Sequence, residues 1–234
     1  MACLPDDLRI YAVGDIHGRS DLLARLLALI AEEQSARAPA SSRIIFLGDY
    51  IDRGPDSHGV VEMLIHGLPA GLKADFLMGN HEQMMLEALA ERDALPLWLA
   101  NGGTAVIEAY GRAAQERGVS ADDWSELVEM LPPSHLDFFS GLELYVQYGD
   151  YLFVHAGVRP KIAIEHQDPH DLVWIRKPFL NYRGDFGKIV VHGHTPVDSP
   201  EIHANRIAID TGAVFTGRLT ALVLEADRKD FLST

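Results

Sequence analysis

Five short apolar runs in this chain each end on a side chain that ligates metals, and this pattern constrains the fold more than any other feature. The clearest run is Ile44-Ile45-Phe46-Leu47, followed at once by Gly48-Asp49-Tyr50-Ile51-Asp52-Arg53-Gly54. A buried strand that stops at a glycine and then a carboxylate presents an acidic group at the edge of a sheet, and here a second acid and an arginine follow. Taken alone, the stretch also fits an acidic turn with one salt bridge. It does not stand alone. Gly14-Asp15-Ile16-His17-Gly18 follows a strand-like run upstream, Gly79-Asn80-His81-Glu82 follows another downstream, and His155 and His194 come at the ends of late runs.

The segments between the runs are helical in period. Ser20 is placed to cap a helix carrying Leu22, Leu23, Leu26, Leu27, Leu29 and Ile30, which Ala38-Pro39-Ala40-Ser41-Ser42 ends. Ser57 to Gly67 shows Val60, Val61, Leu64 and Ile65 on one face, and Gln83 to Arg92 carries Met84, Met85, Leu86 and Leu89. With strands over 9–13, 43–47 and 74–78, this alternation predicts βαβ units and a largely parallel sheet. Residues from about Pro96 to Gly141 read instead as a helical insertion (104–110, 122–130, 135–139), too short to bury much of its own. Strands then return at 142–148, a Gly149-Asp150 hairpin turn, 151–155, 188–192, 206–210 and 219–225. The expectation is one catalytic domain over residues 1–234.

A chain of 234 residues with formal net charge −14 is ill suited to coating nucleic acid, which needs clustered Lys and Arg. For the same reason phosphate chemistry here must rest on a local cationic patch or on bound metal ions. No run approaches 18 apolar residues, and Met1 to Asp7 lacks a basic start and an apolar stretch, so neither a membrane span nor a secretory signal is expected. The only cysteine, Cys3, fits a reducing cytoplasm. Cys3 to Arg9 matches the Cys-x5-Arg spacing of cysteine-dependent phosphatases, but Leu-Pro-Asp-Asp-Leu between them removes a donor and adds two repelling carboxylates, so the spacing is coincidental.

Asp15 and His17 are two apart and share a side of an extended chain, so both could hold one cation. Asp49 could bridge it to a second, and Asn80, His155 and His194 could complete that second position. Mixed oxygen and nitrogen donors suit Mn, Fe, Co or Zn better than Ca or Mg. Two such ions bind a hydroxide between them and polarise a phosphoryl oxygen.

As an ordered set, Gly14 to Gly18, Gly48 to Gly54, Gly79 to Glu82, His155-Ala156-Gly157 and Gly193-His194-Thr195-Pro196 resemble the motifs of the metal-dependent phosphoprotein phosphatases, within the calcineurin-like metallophosphoesterases. Asn101-Gly102-Gly103, Trp174-Ile175-Arg176 and Asp210-Thr211-Gly212-Ala213-Val214-Phe215 resemble the small bacterial and phage-type serine/threonine phosphatases. The resemblance implies an αββα sandwich, two mixed β-sheets packed face to face with helices outside. It implies Asp15 and His17 on the first of two divalent ions, with Mn first and Fe, Zn, Co or Ni as alternatives. Asp49 would bridge, and Asn80, His155 and His194 would hold the second ion. His192, two residues from His194, is assigned to the strand.

Arg53 and Arg176, with Asn80, would grip the substrate phosphate, and His81, oriented by Asp52, would protonate the leaving alkoxide. The implied substrate is a phosphorylated protein or a small phosphoester. The nearest alternative is a symmetrical dinucleoside tetraphosphate hydrolase, from which Asp52, Glu82 and Thr195-Pro196 differ. A non-enzymatic metal-binding scaffold is the remote alternative. The other histidines (His58, His66, His135, His166, His170, His203) read as surface or packing residues, Met84 and Met85 as core, and Glu32-Glu33 and Asp122-Asp123 as solvated faces.

Overall fold

The strand Leu8–Val13 (β1) is apolar along nearly its whole length because both of its faces are covered. In the computed structural model, which describes residues 2–37, 41–116 and 127–234, its alternating side chains go to two different cores. Tyr11 and Val13 join Ile44, Phe46 and Val223 beneath the helices, whereas Ile10 and Ala12 join Ile45, Leu47, Leu222 and Leu224 against a second sheet. A period of two in a strand sends neighbours to opposite faces, so one strand serves both layers.

The elements run in this order. After β1 come the helix Ser20–Ala36 (α1), the strand Ser41–Phe46 (β2), the helix Ser57–His66 (α2), the strand Leu72–Phe76 (β3) and the helix Asn80–Ala90 (α3). The helical stretch follows as Leu95–Trp98 (α4), Thr104–Glu116 (α5), Leu127–Met130 (α6) and Pro133–Ser140 (α7). Then come strands Tyr145–Tyr148 (β4) and Tyr151–Val154 (β5), helices Pro169–Trp174 (α8) and Lys177–Leu180 (α9), and strands Ile189–His192 (β6), Glu201–Ile202 (β7) and Arg206–Ala208 (β8). The short helix Ala213–Thr216 (α10) and strands Thr220–Glu225 (β9) and Arg228–Ser233 (β10) complete the described elements.

One sheet has the order β10-β9-β1-β2-β3 and the other β4-β5-β6-β8-β7. Each is mixed. β1, β2 and β3 are parallel while β9 runs antiparallel to both of its neighbours, β1 and β10, and β5, β6 and β8 are parallel between antiparallel edges. The expected αββα sandwich is therefore present, with a sheet less uniformly parallel than the βαβ reading predicts. Tyr151, Phe153, Val191, Ile207 and Ile209 supply the second sheet's side of the inter-sheet core. Its outer face, through Leu152, Val154 and Val190, packs on Leu172 of α8, Phe179 of α9 and Ile175 between them.

Several local expectations need correction. Ser20 is the first helical residue and not the cap; its hydroxyl donates to Asp56 at 2.5 Å. Asn80 and His81 lie in the first turn of α3, which begins earlier than the period of its apolar residues predicts. The helix expected over 104–110 runs on through Gly111 to Glu116 as α5. The strand expected over 142–148 is confined to β4, with Leu77 and Glu143 forming a single bridge before it. Glu33 is no solvated face: it accepts from the Tyr11 hydroxyl and pairs with Arg37. Arg9, half of the Cys-x5-Arg spacing, is buried and paired with Glu225 at 2.7 Å. Asp122, Asp123, the start of the helix expected over 122–130 and Ala38-Pro39-Ala40 lie outside the described residues. Residues 95–110 do not form a core of their own; Trp98, Val106 and Tyr110 pack with Tyr50, Ile51 and Val60 in the core beneath the helices.

Candidate metal centre

The C-terminal ends of the parallel strands of both sheets meet at one edge of the sandwich, where an open α/β sheet collects its functional loops. β1 delivers Asp15 and His17, β2 delivers Asp49 and Asp52, and the turn after β3 delivers Asn80 and His81. From the other sheet, β5 delivers His155, β6 delivers His194 and β8 delivers Asp210. Asp15, His17, Asp49, Asn80, His81, His194 and Asp210 line a cleft of about 260 Å³ together with Arg53, Arg176, Pro196, Gly212 and Phe215.

Asp49 is the hub. Its Oδ2 lies 3.5 Å from His17 Nε2 and its Oδ1 lies 3.4 Å from His155 Nε2, while His81 N–H donates to Oδ1 at 3.1 Å. Among the described residues, two groups of mutually close ligand atoms share this carboxylate: His17–Asp49–His81 and Asp49–His155–His194. Burial alone would push Asp49 up, but the surrounding histidines hold it well below the usual carboxylate range.

The ring orientations fit a cation. His17 Nδ1 donates to Ile51 O at 2.8 Å and His155 Nδ1 donates to Leu47 O at 2.9 Å, so each neutral ring turns its Nε2 lone pair towards Asp49. His155 Nε2 also faces Asn80 Oδ1 at 3.0 Å. Three acceptors thus converge with no proton between them, an arrangement that a shared cation satisfies. His194 Nε2 is buried with no hydrogen-bond partner among the described residues. Burial lowers the pKa of His155 and His194, and that of His17 to about 3, so all three rings are neutral and ready to ligate near pH 7.

Asp15 reaches the same cleft by a different route from the one expected. His17 adopts the left-handed conformation (φ 47°), so the extended-chain argument that set the two on one side does not hold. The Asp15 carboxylate accepts the His194 N–H through both oxygens (3.2 and 3.0 Å). Burial and the neighbouring Asp210 and Asp49 charges push Asp15 up, and burial pushes Asp210 up to about 6. A cationic charge among these carboxylates would relieve that cost.

Asp52 and His81 form a second, drier unit beside the hub. His81 Nδ1 lies 2.6 Å from Asp52 Oδ2, and Trp98 Nε1 donates to both Asp52 oxygens at 3.0 Å. Burial works against the imidazolium, but Asp49 and Asp52 outweigh it and the His81 pKa is raised. Arg53 and Arg176 are exposed at the mouth. Arg53 Nη1 lies 2.8 Å from His17 Nε2 with its guanidinium over the Phe215 ring (5.9 Å), and Arg176 Nη1 reaches Thr195 Oγ1 at 3.3 Å. The Arg53 contact occupies the lone pair that a cation at His17 would take, so the contact and a cation there would exclude one another.

The sequence motifs do not reveal three of these groups. Trp98 closes on Asp52 from 46 residues away. Asp210 stands in a recognisable motif, but nothing in its spacing marks it as a neighbour of Asp15. Glu82 is legible only as a family discriminator, yet its carboxylate accepts the backbone N–H groups of Asp49 (2.8 Å), Tyr50 (2.8 Å), Ile51 (3.2 Å) and Gly79 (3.1 Å), tying two ligand loops together. His192 points away from the cleft and packs edge-on against Phe179.

Comparison with known proteins agrees with this geometry. The model of the calcineurin-like phosphoesterase family matches residues 8–219. Serine/threonine-protein phosphatase 1 of Salmonella typhimurium is 32% identical over 216 residues, covering 90% of this chain and 89% of that protein. The asymmetrical bis(5'-nucleosyl)-tetraphosphatase PrpE of Anoxybacillus flavithermus is 28% identical over 230 residues, covering 90% and 88%. In fold, the cold-active protein-tyrosine phosphatase of a psychrophilic Shewanella matches at a TM-score of 0.63 and 18% identity, over 97% of this chain and 80% of that one.

Proposed function

The chain belongs to the calcineurin-like phosphoesterase family, and from that premise we propose that it is a metal-dependent phosphomonoesterase acting on phosphoserine and phosphothreonine in proteins. The observation that carries this reading is the buried relay from Trp98 through Asp52 to His81, which ends in the cleft beside Asp49. A serine or threonine alkoxide is a poor leaving group, so a positioned proton donor raises the rate of its departure.

In this reading Asp49 is the shared ligand, Asp15 and His17 complete one cation position, and Asn80, His155 and His194 complete the other. Two divalent ions held there supply Lewis acidity at the phosphoryl oxygens and a potent nucleophile from water at neutral pH. The mixed donor set fits Mn, Fe, Co or Zn better than Ca or Mg, and the family resemblance puts Mn first, with Fe, Zn, Co or Ni as alternatives. Arg53 and Arg176 grip the phosphate through paired N–H donors, and Asn80 adds a polar contact. Asp52 accepts the His81 Nδ1 proton, which fixes the tautomer and leaves the Nε2 proton facing the cleft. His81 passes that proton to the leaving oxygen, and the nearby Asp49 and Asp52 charges keep the ring protonated for the task. Residues 96–141 serve as an insertion in a single catalytic domain that works in the cytoplasm.

A second reading, hydrolysis of dinucleoside tetraphosphates, draws on the A. flavithermus relative and on Phe215, whose ring is 72% exposed at the mouth and offers a face to a nucleobase. That relative is the asymmetrical type, whereas the alternative drawn from the motifs is symmetrical. Parallel kcat/KM measurements with Mn on a phosphoserine peptide and on diadenosine tetraphosphate separate the two. Preference for the peptide supports the proposal, and turnover of the dinucleotide alone overturns it. A folded protein inert towards both and towards para-nitrophenyl phosphate, in every metal, would be a binding scaffold.

A further inference from the structure

Outside the residues that line the Asp49 cleft, α2 and α7 bring together a further group of potential ligands, His58, Glu62 and His135. His58 and Glu62 are one turn apart on α2 and so project from the same face. His135, on α7, is fully buried and turns its Nε2 towards Glu62 Oε1 at 3.1 Å; His58 Nε2 lies 3.9 Å from the same oxygen. One ligand atom from each of the three falls within 4.8 Å of the others. In a tetrahedral site with bonds of about 2.0–2.1 Å, neighbouring ligand atoms stand roughly 3.3 Å apart. The two measured separations bracket that spacing.

We propose that His58, Glu62 and His135 form a third divalent-cation site, separate from the Asp49 centre, that clips α7 to α2. Two imidazoles and one carboxylate select a borderline transition ion of the Zn type over Ca or Mg. The His58 and Glu62 side chains keep 20% and 43% of their exposure, so water can reach the cluster. Tyr110 supplies the support such a site requires: its hydroxyl lies 2.8 Å from His135 Nδ1, and its ring packs edge-on against both histidines. A phenol can donate or accept. With the His135 proton on Nε2 the ring donates to Glu62 and Tyr110 donates to Nδ1; with the proton on Nδ1 the ring donates to Tyr110 and Nε2 is a ligand. One neutral imidazole therefore serves either as a helix-to-helix hydrogen bond or as one arm of a cation site, without rearrangement of the backbone.

The clip would act on the catalytic end of α2 only through the chain. Ser57, next to His58, accepts the Asp52 N–H through Oγ at 3.2 Å. The expected effect is therefore on the anchoring of α7 more than on turnover.

The test is equilibrium dialysis of the full chain against Co2+, with bound metal counted by mass spectrometry and the visible absorption recorded. His58→Ala and Glu62→Gln each replace a partly exposed side chain and should fold normally. The native protein is expected to bind one more ion per chain than either variant, and to lose the intense absorption of a four-coordinate Co2+ when Glu62 or His58 is changed. In an Asp49→Asn background the native cluster should still hold one ion and the added His58→Ala none, so the result does not depend on the assignment at Asp49. Thermal melts in Zn2+ should show a larger upward shift for the native chain than for His58→Ala. Equal metal counts in native and variant chains would overturn the proposal and leave a plain hydrogen-bonded clip.

Discussion

Replacing Asp52 by Asn tests the proton-donor assignment with little change of volume. The carboxylate receives His81 Nδ1 at 2.6 Å and Trp98 Nε1 at 3.0 Å on both oxygens, in a site with no exposure. An asparagine offers one oxygen and one NH2. If the oxygen keeps His81, the NH2 faces the Trp98 N–H; if the amide flips, the NH2 faces His81 and the ring must move its proton to Nε2. Either way the imidazolium loses its carboxylate partner and with it an interaction worth about 1.5–3 kcal/mol. At about 1.4 kcal/mol per unit, that lowers the His81 pKa by about 1–2 units. A group that must be protonated to act loses activity as pH rises through its pKa. The alkaline limb of the kcat/KM profile on a phosphoserine peptide should therefore move to lower pH by about 1–2 units, with a ten- to hundredfold loss above the limb. Para-nitrophenyl phosphate releases a phenolate that needs little proton assistance, so its turnover should fall much less. Equal losses on the two substrates, or an unmoved limb, would refute the role given to His81.

Asp49→Asn should abolish occupancy of both cation positions, and a variant that retains two ions by mass spectrometry would rule out the bridging assignment. Chelation should stop hydrolysis of para-nitrophenyl phosphate and Mn2+ should restore it. Since a ligand at a hundred times its Kd stabilises the folded state by about 2.7 kcal/mol, chelation should also lower Tm by about 5–10 °C per ion lost. His81→Ala should repeat the leaving-group asymmetry of Asp52→Asn in stronger form, read as the ratio of alkyl to nitrophenyl kcat. Glu82→Gln leaves two of four backbone N–H groups facing an NH2 in either amide orientation, at about 1–3 kcal/mol each, so urea unfolding of the metal-free chain should show a loss of about 2–6 kcal/mol.

The fold was legible where burial is two-sided. Ile44 to Leu47 and Ile10 to Val13 read as strands because apolar residues are needed on both faces, and the hairpin at Gly149-Asp150 joins Tyr148 to Tyr151 in the register its turn requires. β10, Arg228-Lys-Asp-Phe-Leu-Ser, is polar in composition because it is an edge strand, and only its pairing with β9 reveals it. Helix starts were displaced because the caps are made by tertiary contacts: α3 opens through Gly79 and the returning Glu82 carboxylate, with no side-chain oxygen at its cap. At the site, Asp49, Asn80, His81, His155 and His194 carry a local signature, a polar or ionisable side chain shortly after a strand. Trp98 carries none. Its contact closes a long loop, and a tryptophan near Gly102-Gly103 reads equally well as core.

The backbone explains why these ligands stay where they are. Among the described residues, eight non-glycine positions have positive φ, and His17, Asp49, Asp52, Arg53 and His194 are five of them. Each such residue costs on the order of 1–3 kcal/mol and persists only where its surroundings over-determine it. Glu82 is one such constraint, holding residues 49–51 to Gly79; Asp15, through the His194 N–H, is another. Gly48 is a third, because at φ 104° a Cβ would stand 2.6 Å from the Gly79 nitrogen and push the two loops apart. The strain and its restraints are thus properties of the same few residues. The loops cannot relax towards ordinary geometry without drawing Asp49 and the histidines away from a common centre, so their convergence is set by the fold itself.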